Sequence, residues 1–151
     1  MPVTLNASTS SGFAATADNS GVLTLQSNGT SAASVSGSNF QMDSGYGSVA
    51  TAYGCRAWVN FNGTGTVAIR ASGNVTSITD NGTGDYTINF TTAMSDANYS
   101  FTAACQNSGT GPQFVTGKSS GTYSTTQLAI QVWNYLASLS DVPYVNVSVF
   151  R

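Results

Sequence analysis

Residues 55–101 read CRAWVNFNGTGTVAIRASGNVTSITDNGTGDYTINFTTAMSDANYSF, and this stretch decides the fold. Cys55, Ala57, Val59 and Phe61 fall on one side of a period-two pattern, with Arg56 and Asn60 on the other. Side chains on a strand alternate faces, so the pattern predicts a half-buried strand. Asn62-Gly63 offers the positive φ angles of a tight turn. Val67, Ile69 and Ala71 repeat the alternation against Thr66, Arg70 and Ser72. A Gly73-Asn74 break leads to a weaker strand through Val75 and Ile78. The run 80–85, DNGTGD, is turn chemistry. Tyr86, Ile88 and Phe90 then alternate with Asp85, Thr87 and Asn89. The next strand points Tyr99, Phe101, Ala103 and Cys105 one way.

The rest of the chain extends this pattern. After Cys105, QNSGTGP is a loop by composition. Phe114 and Val115 begin a short strand, residues 118–121 turn it, and Tyr123 opens another. Residues 126–136 form the longest regular segment, with Leu128, Ile130, Val132 and Leu136 on one face and Gln131, Trp133 and Tyr135 on the other. Large side chains on both faces predict that both are covered, by a neighbouring subunit or by a loop folding back. In the last strand Val145, Val147 and Val149 oppose Tyr144, Asn146, Ser148 and Phe150. No segment shows a 3.6-residue period, and β-branched and aromatic residues argue for strand throughout. Roughly eight strands after residue 54 predict an all-β fold, an antiparallel β-sandwich or barrel-like head over residues 46–151.

Residues 1–45 differ. Large apolar residues are sparse there, and Phe13 is the one aromatic before Phe40. One short strand over 21–26 places Leu23 and Leu25 on one face, and Asn28-Gly29 follows as a turn. Such a segment buries too little alone to offset its ordering entropy. It is expected to be an extended N-terminal arm, either flexible or ordered by packing on another chain. Glycines 37, 45, 47 and 54 make residues 38–54 a hinge candidate.

Composition excludes several chemistries. Only 7% of the 151 residues are charged, and the net charge is −2, so no basic field draws nucleic acid or an anionic membrane. No apolar run reaches the ~18 residues that span a bilayer. The start, MPVTL, has neither the cationic stretch nor the apolar run of a secretory signal, which predicts synthesis in a cytoplasm. There is no His, and all six acids are Asp. Ser-His-Asp and Cys-His catalysis and His-type zinc sites are thereby excluded. No two of Asp43, Asp80, Asp85, Asp96 and Asp141 are singled out as a glycosidase pair. Lys118 follows Gly117, but Pro112 stands where a phosphate loop needs glycine. No catalytic, cofactor-binding or metal residue is assigned.

Some residues admit two readings. Cys55 and Cys105 either bridge two strands or pack as reduced thiols; the lack of a signal favours the second. Asp80 and Asp85 flank a Gly-rich loop that offers some ligands of a calcium site, but plain turn chemistry accounts for it better. Asn-x-Ser/Thr at Asn6, Asn28, Asn62, Asn74, Asn81, Asn98 and Asn146 follows from composition. Arg56 and Arg70, on the polar side of their strands, either pair with Asp across strands or subunits or bind an anionic ligand, the pairing being favoured. Polar loops with isolated aromatics are candidates to grip carbohydrate or protein: residues 106–113, residues 118–123 and Trp58. The sequence does not rank them, and receptor-binding residues stay unknown.

Three segments carry a resemblance: RAWVNFNGTGTVAIRASGNV (56–75), ITDNGTGDYTINFTTAM (78–94) and DANY (96–99). Together they resemble a block found in tail-fibre-type structural proteins of tailed bacteriophages, over about Ala57 to Tyr99. The family often has proline where this chain has Ser95, a departure confined to one turn. SGFAATADNSGVLTLQ (11–26) is similar to the opening of small phage tail and fibre proteins. The resemblance implies a virion surface protein with a β-rich head, made in the host cytoplasm and carried on the particle. It brings no catalytic motif. The expectation is a short tail fibre or appendage, a homotrimer, attached through its arm to other virion proteins and touching a host glycan or protein with its head. It needs no cofactor, nucleic acid or membrane insertion. A capsid decoration or head-fibre protein, a free carbohydrate-binding module and a depolymerase are the alternatives.

Overall fold

The computed structural model describes residues 22–37, 39–46, 48–106, 109, 111–120 and 123–151. It is all-β: twelve strands form three antiparallel four-stranded sheets. The chain divides into two compact units between Ala52 and Tyr53, past the 45/46 junction expected from composition and inside the glycine-rich segment 38–54. The expected contents of residues 1–21 lie outside the described residues.

The first unit contains one sheet in the order β1-β2-β3-β4: Val22–Ser27, Thr30–Ser36, Asn39–Met42 and Ala50–Thr51. Sequence reading predicted a single strand here, and the structure has four. Asn28 (φ 50°) and Gly29 (φ 76°) form the hairpin turn, and Gly37 (φ 60°) makes the next one. Register aligns Leu23 with Val35 and Phe40, and Leu25 with Ala33 and Met42. Residues directly opposite in an antiparallel ladder share a face. One face is therefore apolar, and Leu23, Leu25, Val35, Phe40 and Met42 on it are exposed. The opposite face carries Thr24, Ser34 and Gln41, with Ser34 Oγ donating to Gln41 Oε1 at 3.2 Å.

The second unit is a β-sandwich of eight strands. One sheet runs β6-β5-β12-β9 and the other β10-β11-β8-β7. The strands are β5 Cys55–Asn62, β6 Ala68–Gly73, β7 Val75–Gly82, β8 Asp85–Phe90, β9 Ser100–Cys105, β10 Gln113–Gly117, β11 Gln127–Asn134 and β12 Val145–Phe150. The predicted alternation fills the space between the sheets. Ala57, Val59, Phe61, Val145, Val147 and Val149 from one sheet meet Tyr86, Ile88, Phe90, Leu128, Ile130 and Val132 from the other in a single core. Fully burying each larger side chain stabilises by ~1.5–3 kcal/mol. The Phe61 and Tyr86 rings meet edge to face, centroids 5.1 Å apart. β12 is an inner strand, paired on both sides, so both of its edges are satisfied.

Three local expectations change. β11 stops at Asn134, because Ala137 takes a left-handed φ of 57° and Asn134 Oδ1 accepts from the amides of Leu136 and Ser138. Leu136 is therefore an exposed turn residue, not part of the core face. Tyr123 opens no strand; its ring stacks on Tyr99 and meets Phe101 edge-on. In the β5–β6 turn the left-handed residue is Gly65 (φ 61°). Gly63 is needed for space: a Cβ there would lie 2.6 Å from the Tyr86 hydroxyl and 2.9 Å from the Val142 carbonyl.

Candidate functional site

The outer face of β6-β5-β12-β9 collects the chemistry that the core leaves over. Alternation on β5 turns Arg56, Trp58, Asn60 and Asn62 outward while Ala57, Val59 and Phe61 go in. β12, hydrogen-bonded beside it, sets Asn146 next to Asn60 and Ser148 next to Trp58. β9 adds Thr102 and Ala104 to the same rows. The face is thus a floor of amides and hydroxyls.

Trp58 and Tyr144 stand on that floor, 44% and 43% exposed. Trp58 lies across from Gly73 of β6, where a Cβ would come within 2.4 Å of Nε1 and 2.9 Å of Cδ1. Glycine at 73 therefore lets the indole settle on the neighbouring strand. The β5–β6 register slips at Asn60/Phe61, and Arg70 is the unpaired residue of that bulge. A bulge re-aims a side chain. The Arg70 guanidinium sits 3.9 Å from the centre of the Tyr144 ring, and its Nη2 approaches Asn62 Oδ1 at 3.5 Å. Asn62 itself is fixed by the turn: its Nδ2 donates to the carbonyls of Thr64 and Thr66 at 2.6 and 3.2 Å. Asn60 Nδ2 donates to Asn146 Oδ1, a bond exposed to solvent on this face.

Charge is distributed unevenly. The chain has four cations. Lys118 pairs with Asp85 at 2.7 Å, and Arg151 pairs with Asp96. The amide of Asn98, and then Arg151, hold the Asp96 carboxyl below its ordinary range. Among the described residues Arg56 and Arg70 pair with no carboxylate, so the expected Asp partner is not found across strands within the chain. Among the described Asp residues, Asp43 and Asp80 accept from turn amides, and Asp141 accepts from the Tyr86 hydroxyl. At the far end of the same sheet Tyr53, Asn98, Ser100, Phe150 and Arg151 line a cleft of about 260 Å³.

On the opposite sheet neighbouring polar side chains bond one another. Asn89 Nδ2 donates to Ser77 Oγ and Thr79 Oγ1 at 3.1 and 3.0 Å, Asn81 Nδ2 to Thr87 Oγ1 at 3.0 Å, and Trp133 Nε1 to Thr116 Oγ1 at 3.0 Å. Those polar groups are occupied by one another. The Asp80–Asp85 turn behaves as one, with Asp80 Oδ1 accepting from Gly82 N at 2.9 Å. Among the described residues no three of the acidic and thiol groups cluster as a metal site. Cys55 and Cys105 are free. They flank β12 on opposite sides, opposite Phe150 and Val145, so one strand and five rows separate them. That is ~9–10 Å across and ~16 Å along, beyond the Cα spacing a disulfide spans.

Of the loops proposed from sequence, 106–113 and 118–123 lie partly outside the described residues. Trp58 is the candidate that the structure surrounds with partners. Arg70, Tyr144, Asn60 and Asn146 join it only through the β5–β12 pairing and the β6 bulge. A shared parity of Arg56, Trp58 and Asn60 on one strand was the available signal. The fold and face together define a β-sandwich with one open, cationic, aromatic-bearing sheet. The chain matches no protein-family model, no curated protein and no solved structure.

Proposed function

We propose that this protein is a non-enzymatic structural component of a bacteriophage virion, a short tail fibre or similar appendage that touches the host surface with its β-sandwich. The observation that carries the reading is the outer face of β6-β5-β12-β9, where Trp58, Tyr144, Arg56 and Arg70 are presented on a rigid sheet with no acid–base pair among them. Binding needs such a surface; turnover needs proton donors and acceptors placed together. The likeness of residues 57–99 to tail-fibre-type proteins supports the placement on a virion. Self-association is supported by the β1–β4 sheet, and the homotrimer by the likeness to tail-fibre-type proteins. A one-layer sheet with an open apolar face gains by covering it, and neighbouring copies of the same sheet offer a matching face.

The test is twofold. Antibody to the purified chain should label one end of intact virions in electron micrographs, and excess protein should block their adsorption to host cells. Labelling of the capsid surface without blocking would favour a head decoration. Depolymerisation of a host polysaccharide by the pure protein would overturn the non-enzymatic reading.

A further inference from the structure

We infer that the outer face of β6-β5-β12-β9 binds an acidic polysaccharide, with uronate carboxylates held by Arg56 and Arg70 and a pyranose ring laid against Trp58. This deepens the reading of the sandwich as the host-facing part. Three features converge on it. First, these two arginines pair with no carboxylate among the described residues, while the other two cations are paired. Unpaired and solvent-exposed, the two guanidinium groups are available to an anion from outside. Guanidinium presents a planar fork that matches a carboxylate. Second, Trp58 is an isolated platform, apart from the Tyr144 ring that carries Arg70, on a floor of Asn60, Asn62, Asn146, Ser148 and Thr102. A protein partner would bury a continuous apolar centre, which this face lacks. Hydroxyl-rich sugars match amides that both donate and accept.

Third, the spacing fits a polymer. Arg56 stands two residues from Trp58, and Arg70 lies near the Asn60–Asn62 end of the same strand. The two guanidinium stems are thus about 16 Å apart along the sheet, with the indole between them. A single sugar does not bridge that length, but a chain with repeated carboxylates does. Arg70 is also pre-set, because Tyr144 under its guanidinium fixes the side chain before any ligand arrives. Less rotamer freedom is then lost on binding.

The experiment is affinity electrophoresis of the full chain in gels containing alginate as the polyuronate, with dextran as the neutral and dextran sulfate as the sulfated comparison. Alginate should retard the wild-type protein, dextran should not, and ~0.5 M salt should abolish the retardation. Arg56→Gln with Arg70→Gln should weaken binding roughly tenfold or more, and Trp58→Ala should weaken it comparably, each at unchanged melting temperature. Equal retardation by dextran, tighter binding to dextran sulfate, or arginine variants that bind as wild type would each overturn the inference. Virion competition separates it from the reading it rests on. If the arginine variants still block adsorption fully, the acidic-glycan site is wrong while the attachment role stands. If alginate binding depends on the arginines but the protein never blocks adsorption, the site stands and the attachment role falls.

Discussion

The Tyr86 hydroxyl lies 2.7 Å from Asp141 Oδ1 and 2.8 Å from the Gly63 carbonyl, so one phenolic proton serves two acceptors inside the sandwich. Asp141 Oδ1 also accepts from the Gly84 amide at 2.7 Å. This knot ties the β5–β6 turn, the β7–β8 turn and the segment leading to β12 to one side chain. Tyr86→Phe keeps the ring against Phe61 but removes the phenolic donor from the Gly63 carbonyl and leaves the Asp141 carboxylate to the Gly84 amide. It should destabilise the sandwich by ~1–3 kcal/mol, read as a lower urea midpoint at unchanged m-value.

The same phenol makes stability pH-dependent on the alkaline side. Tyrosine in an unfolded chain ionises near pH ~10. Burial holds Tyr86 neutral well above that, and the adjacent Asp141 adds to the effect. Burial likewise pushes Tyr99 up to about 12. With both folded values raised, the unfolded chain sheds protons first as pH rises. The contribution is therefore fully present below pH ~10 and is lost progressively above it. Urea midpoints measured from pH 8 to 12 should be level and then fall, and Tyr86→Phe should fall less steeply.

How much of this was legible depends on range. The inward sets Ala57-Val59-Phe61, Tyr86-Ile88-Phe90 and Val145-Val147-Val149 follow from parity alone, because a strand has no third face for its apolar residues. The Tyr86–Asp141 knot is not legible, since its partners are 55 residues apart and meet only through the sheet order. The four strands of residues 22–51 were hidden by composition: Ser, Ala and Thr carry the period-two pattern weakly, and only Leu23, Leu25, Val35, Phe40 and Met42 mark it. The candidate site was half visible. Trp58 and Arg56 share a parity on β5, but that Tyr144 supports Arg70 depends on a bulge no local pattern announces.

Gly84 and Gly65 offer a matched pair. Both have left-handed φ, at 65° and 61°. Gly65 has open space where a Cβ would go, whereas at Gly84 it would meet Ser140 N and Val132 O, both at 2.6 Å. Gly65→Ala should cost only the backbone term, ~1–2 kcal/mol. Gly84→Ala adds a clash with backbone that cannot swing aside, and should cost several kcal/mol in sum. Parallel thermal melts check the ordering, and equal losses would contradict it.

The cysteines should act independently. The intact mass should be that of two thiols, and reductant should leave the melting temperature unchanged. Cys55 is exposed, with Sγ 3.2 Å from the Ala57 carbonyl. Cys105 is half-buried, and burial pushes its thiol up. Thiolate is the reactive form. A maleimide at pH 8 should therefore label Cys55 several-fold faster than Cys105, as followed by peptide mass mapping.

Gly73 tests whether the Trp58 platform depends on its seat. Gly73 has no left-handed φ, so alanine is acceptable to the backbone. A Cβ would, however, press within 2.4 Å of the Trp58 Nε1. The exposed indole is the part able to give way, at a strain of ~1 kcal/mol as it leaves its rotamer. Gly73→Ala should leave the fold intact, increase acrylamide quenching of tryptophan fluorescence and weaken glycan retention. Trp133 supplies an internal reference, because its Nε1 stays bonded to Thr116. Unchanged quenching together with lost stability would instead mean that the strand yields and the indole does not, and the platform would then be fixed by more than the space Gly73 leaves.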